Sequence, residues 1–135
     1  MRVFSFAQES TRYCNYSKDK FGRQITYIIP SWANSIGEGE YQGLLRPDEL
    51  NNADRLFMCN CLLCEDDYFC LLDNACTPQQ ARQVLPNSLK TEVVMTGFVK
   101  DWMHFFDLRC AKSAHPDMQV LANQLKNLFT NERLL

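Results

Sequence analysis

The run Gln8-Glu9-Ser10-Thr11-Arg12-Tyr13 places two aliphatic hydroxyls, successive backbone amides and a fork-shaped cation within six residues. Such a set suits a phosphate group, and equally suits an ordinary capped turn. Arg109 is spaced to share a helical face with Trp102, Phe105 and Phe106. A guanidinium desolvated on an aromatic face needs a partner. That partner is either a bound anion or carbonyl, or one of the chain's 16 acidic residues. Arg82 lies shortly before Leu85-Pro86, near an expected helix end, where arginines commonly do nothing specific. Cys59-x-Cys61-x-x-Cys64 invites a metal reading. Zinc pairs, however, sit on turns and come in two knuckles, whereas these cysteines fall inside a helical pattern with no second pair. Core packing is the better reading for them, and no metal is expected. His104 and His115 have no catalytic partner at diagnostic spacing, and no Ser-His-Asp order, P-loop or G-x-G-x-x-G run is present.

The elements that must position these residues belong to a small chain. Its 135 residues match a single domain spanning 1–135, and 46% hydrophobic with 22% charged residues is an ordinary globular composition. The net charge is −2, with Lys and Arg scattered, which argues against a nucleic-acid partner but not against a small anion. No apolar run approaches the length of a membrane span. The seven cysteines are odd in number and read as reduced thiols, so a cytoplasmic chain is expected.

Residues 1–23 show neither helical nor strand periodicity and read as a structured loop. Gln24 to Ile29 is β-branched and ends at Pro30, which predicts a strand. Residues 31–47 read as loop. From about Asp48 to Asp73, Phe57, Cys61, Cys64, Tyr68 and Leu72 form one stripe of a long helix. Thr77-Pro78-Gln79-Gln80 opens a short helix that Pro86 must stop. Thr91 to Thr96 predicts a second strand, Val99 to Cys110 a helix, and Pro116 onward a last helix with an apolar stripe of Met118, Leu121, Ala122, Leu125 and Leu128. The expected class is α+β, mostly helical with a small antiparallel sheet.

Three segments in register extend this reading. Arg2-Val3-Phe4-Ser5 followed by Gln8 to Tyr13 resembles the second part of the flavin-dependent thymidylate synthase signature, R-H-R-x-x-S continued into a serine and R-Y. Ala81-Arg82-Gln83-Val84-Leu85-Pro86 resembles that family's A-R-x-V-L-P segment. Phe105-Phe106-Asp107-Leu108-Arg109 resembles its closing F-L-x-L-R helix, and Ala114-His115-Pro116-Asp117-Met118 fits the family's sequence after that helix.

The resemblance implies reductive methylation of dUMP to dTMP, with methylenetetrahydrofolate giving the carbon and FAD, reduced by NADPH, the hydride. It implies a methyltransferase without an enzyme nucleophile on the pyrimidine, working by binding, orientation and electrostatics. Carried over residue by residue, it makes Gln8, Glu9, Ser10, Thr11 and Arg12 the loop that grips dUMP. Arg82 becomes a second phosphate contact, from a neighbouring subunit if the family's homotetramer is kept. Arg109 becomes the catalytic contact to the uracil edge. Arg2, Gln8, Phe98, Lys100 and His104 fall where the family contacts FAD.

The departures concern the flavin. Met1 stands where the signature has its His, the first Arg and the preceding strand-and-helix region are expected to be missing, and Phe98 and Lys100 replace an Asn and an Arg found in many members. Weak or absent FAD binding is therefore expected. The alternative to an enzyme is a truncated, catalytically silent remnant that binds nucleotide or only assembles with partners.

Overall fold

The computed structural model describes residues 4–18, 21–39 and 50–135. Among the described residues two strands and four helices form in the order β1 (Ser5–Gln8), α1 (Asn52–Asp73), α2 (Pro78–Ala81), β2 (Val93–Thr96), α3 (Val99–Arg109) and α4 (Pro116–Asn131), with a 3-10 turn at Arg82–Val84 after α2. This is the mixed, mostly helical composition expected. The chain divides into two compact units, Glu9–Glu92 and Met1–Gln8 with Val93–Leu135.

In the unit Glu9–Glu92, α1 forms because its 22 residues hold neither Gly nor Pro and both ends are capped. The Asn51 side chain accepts from the Asp54 N–H at 2.9 Å, and Ala75 leaves the helix with φ +65°. Asp54, Met58, Cys61 and Tyr68 are the buried residues, a stripe of helical period that shares Cys61 and Tyr68 with the expected one, while Phe57, Cys64 and Leu72 are only half-buried. Tyr68 is wholly buried beneath Cys14, Tyr16, Ile25 and Ala81. Its hydroxyl donates to the Cys14 carbonyl and accepts from the Tyr16 N–H, both at 3.4 Å. Ala33, Ile36 and Met58 make a second small core near the start of α1. The short helix begins as Thr77 predicts: Gln80 Oε1 accepts from the Thr77 N–H at 2.8 Å and its hydroxyl at 3.0 Å. Pro86 ends this helical stretch, with Leu85 already extended.

The expected strand at Gln24 to Ile29 is not one. That segment makes a single antiparallel bridge, Tyr27 to Leu89, flanked by Ile28 N–H to Ser88 O at 2.8 Å and Lys90 N–H to Thr26 O at 2.9 Å. Of its β-branched residues, Ile25 packs with Tyr68 and Ile29 against the core that holds Met58, while Thr26 and Ile28 are exposed.

In the other unit, β1 pairs antiparallel with β2, with Ser5 opposite Thr96 and Gln8 opposite Val93. β1 falls in a segment expected to be loop. All four of its side chains are exposed, so no buried face imposes an alternating pattern on the sequence. α3 and α4 pack through aromatic rings: Phe106 is buried, with its ring 5.3 Å from Phe129, and Trp102 lies 5.0 Å from Phe4 and 5.3 Å from Phe129. Among the described residues no helix is long and apolar enough to cross a membrane.

Candidate functional site

The loop after β1 is fixed by backbone bonds. The Glu9 N–H donates to Glu92 O at 2.9 Å, and the Thr91 hydroxyl donates to Glu9 O at 3.1 Å. Ser10 O then accepts from the N–H groups of Tyr13 and Cys14, both at 3.1 Å, closing a tight turn anchored by buried Cys14. The Ser10 hydroxyl accepts weakly from the Arg12 N–H at 3.3 Å. Glu9 therefore spends its backbone donor on the loop itself. The N–H groups of Ser10 and Thr11 have no partner among the described residues.

Two arginines reach this turn. Arg12 is exposed, donates from Nε to Gln79 Oε1 at 2.6 Å, and lies over the Tyr13 ring with its guanidinium carbon 5.2 Å from the centroid. Arg82 opens the 3-10 turn beside fully buried Ala81 and donates from Nη1 to the Thr11 hydroxyl at 3.0 Å. Among the described residues neither forms an ion pair. A guanidinium does not deprotonate in proteins, so two uncompensated charges and two free N–H groups converge on one short loop. That combination suits an anion. It brings together Ser10, Thr11, Arg12 and Arg82 from separate parts of the sequence. Gln79 was legible in the sequence only as part of a helix start.

The remaining expected residues belong to the other unit. Arg109 ends α3 and is exposed, its side chain without a hydrogen bond or ion pair among the described residues. The desolvated aromatic face expected around it is not there: Phe106 alone is buried in α3, and Arg109, in the last turn, meets solvent. Gln8 is exposed at the end of β1, and Lys100 and His104 are exposed one turn apart at the start of α3. Phe98 precedes that helix 71% exposed, with the Lys100 ammonium 5.9 Å from its ring centroid. Arg2 lies outside the described residues.

Elsewhere the chemistry is quiet. Burial pushes the Cys61 and Cys64 thiols up, and Cys61 shares a 3.6 Å contact with the Ser88 hydroxyl. A thiol so shifted is a poorer nucleophile and ligand. Among the described residues no group of three or more His, Cys, Asp or Glu could hold a metal ion. A cavity of about 420 Å³ beside α1 is lined by Tyr27, Ile29, Phe57, Met58 and Glu65 among others. Among the described residues its lining presents no cation, which does not suit a phosphate.

Comparison with known proteins bears on what the anion would be. A family model described as thymidylate synthase complementing protein matches residues 1–132. A flavin-dependent thymidylate synthase of Geobacter sulfurreducens is 28% identical over 127 residues, covering 94% of this chain and 47% of that protein. One from Corynebacterium efficiens is 31% identical over 127 residues, covering 90% and 46%. A probable flavin-dependent thymidylate synthase of Paramecium bursaria Chlorella virus 1 is 33% identical over 61 residues, covering 45% and 28%. The chain spans about half the length of the curated relatives it matches over its whole extent.

Proposed function

Because the chain belongs to the thymidylate synthase complementing protein family, we propose that it binds dUMP and serves its reductive methylation to dTMP. The observation that carries this reading is the pair of unpaired arginines, Arg12 and Arg82, tied to one loop with free backbone amides. A nucleotide monophosphate supplies the dianion that such a loop lacks. The family match extends to residue 132 and the relatives are named as synthases, which favours an enzyme over a silent remnant.

In this reading Ser10 and Thr11 donate backbone N–H groups to the phosphate, and Arg12 and Arg82 neutralise it. Gln8 and Glu9 hold the loop's entry; Glu9 does so through its bonds to Glu92 and Thr91. Arg109 is assigned the uracil edge by its motif. An exposed, permanently charged guanidinium there would stabilise negative charge developing on the ring, which needs no enzyme nucleophile.

The described residues fit the phosphate end of FAD through the Lys100 ammonium, with the His104 side chain one turn further along α3 as a hydrogen-bonding group. With Arg2 and Gln8 they would hold the dinucleotide, while Phe98 adds apolar surface without a side-chain donor. Bound FAD would supply the hydride. NADPH as reductant, methylenetetrahydrofolate as carbon donor, a homotetrameric assembly and a cytoplasmic setting complete the proposal.

The test is conversion of dUMP to dTMP by the purified chain with FAD, NADPH and methylenetetrahydrofolate, beside an Arg109→Ala variant. Product from the wild type and at least a hundredfold less from the variant is expected, about the cost of one transition-state donor. Equal activity in both would overturn the role given to Arg109.

A further inference from the structure

Arg12 and Arg82 are long side chains, and an unrestrained guanidinium loses conformational freedom when it grips a phosphate. Both are already tethered. Gln79 Oε1 takes the Nε–H of Arg12 at 2.6 Å, and Thr11 Oγ1 takes one Nη1–H of Arg82 at 3.0 Å. We infer that Gln79 and Thr11 are positioning residues that fix which edge of each guanidinium is offered to the anion; this rests on the phosphate reading above.

The planarity of the fork makes the consequence specific. Occupying Nε of Arg12 leaves its two terminal nitrogens as the free bidentate edge, so this arginine meets an oxyanion end-on. Thr11 takes only one of the two Nη1–H donors of Arg82 and leaves the Nε–Nη2 edge whole, so this arginine can meet the anion side-on. The tethers reach from opposite directions in sequence: Gln79 stands in α2 and holds the loop's arginine, while Thr11 stands in the loop and holds the arginine just after α2. The exchange also couples the loop to α2. Moving either segment would turn both guanidinium groups together. The Gln79 amide and the Thr11 hydroxyl bear no charge, so they orient the cations without neutralising them. A carboxylate at position 79 would cancel part of the field that attracts the phosphate.

The experiment compares dUMP with deoxyuridine, which lacks the phosphate, in calorimetric titrations of the wild-type chain and of Gln79→Leu, Gln79→Glu, Thr11→Val and Thr11→Ser. Each hydrogen bond removed should weaken dUMP roughly three- to tenfold. Gln79→Leu and Thr11→Val are expected to show that loss for dUMP while leaving deoxyuridine and the melting temperature unchanged. Thr11→Ser keeps the hydroxyl and should retain wild-type affinity, whereas Gln79→Glu should weaken dUMP through lost net charge. Unchanged dUMP affinity in Gln79→Leu and Thr11→Val, with Arg82→Ala still impaired, would overturn the positioning roles alone. Unchanged affinity in Arg82→Ala as well would overturn the phosphate reading beneath them. Equal losses for dUMP and deoxyuridine would mark the effect as structural and equally sink the inference.

Discussion

Arg82 is held by the Thr11 hydroxyl in a half-buried position beside Ala81, so its charge is partly desolvated, and no carboxylate among the described residues pairs with it. Replacing it with Ala removes a charge-assisted contact, and dUMP affinity is expected to fall by about 1.5–3 kcal/mol. Titration calorimetry reads this directly. Asp54 makes a second prediction at the same scale. Its carboxylate accepts from both the backbone N–H of Ser35, at 2.8 Å, and the Ser35 hydroxyl, fastening the loop before α1 to the helix start. Donation by that hydroxyl is the largest cause holding the carboxyl below its ordinary value of 3.8. A depressed value contributes stability that is complete above the unfolded-state value and is lost as pH falls through the folded one. Urea midpoints measured down a series to about pH 3 should therefore fall less steeply in Ser35→Ala than in the wild type. Parallel curves would contradict this account of Asp54.

α3 carries the core of its unit largely through Phe106, whose ring meets Trp102, Phe105 and Phe129. Phe106→Ala should destabilise the protein by about 3–5 kcal/mol, measured by denaturant unfolding. A change below about 1 kcal/mol would mean that this ring cluster does not hold α3 to α4. The helices were legible in the sequence because their signals are local: the Thr77 to Gln80 start, the stop at Pro86 and the helical spacing of Cys61 and Tyr68, whereas the Asn51 cap was not read from the sequence. The strands were less so. Gln24 to Ile29 has a strand's residue types, but a strand needs a partner of matching length, and residues 88–90 give it only a bridge. Ser5 to Gln8 has a partner but buries nothing that a pattern could reveal. The site divides similarly. The loop, Arg12 and Arg82 were legible as motifs, whereas the crossed bonds to Gln79 and Thr11 depend on how α2 returns to the loop. Arg109 misled as a buried cation because helical spacing gives a face but not what covers it.

At the scale of the whole molecule, the side chains that the described residues leave exposed set two properties. Val120, Leu121 and Leu128 on α4, with Phe6 and Val94 on the small sheet, are each more than half exposed. Exposed apolar side chains such as Leu121 and Leu128, seven residues apart along one face of α4, favour association with another copy, and sedimentation velocity should show a concentration-dependent oligomer that Leu121→Glu with Leu128→Glu reduces. FAD should bind weakly, because Phe98 offers no donor and Lys100 is a point charge where a fork would grip a pyrophosphate. Phe98→Asn with Lys100→Arg is expected to raise flavin affinity roughly tenfold, followed by visible absorbance after desalting. The central claim, that the loop from Gln8 to Arg12 and Arg82 hold the phosphate of a pyrimidine nucleotide, is tested most directly by titrating the wild-type chain with dUMP and with deoxyuridine under the same conditions. Saturable dUMP binding at least tenfold tighter than deoxyuridine is expected, the least that one charge-assisted contact should give; equal affinity for the two, or no binding of dUMP, would show that these residues hold no phosphate.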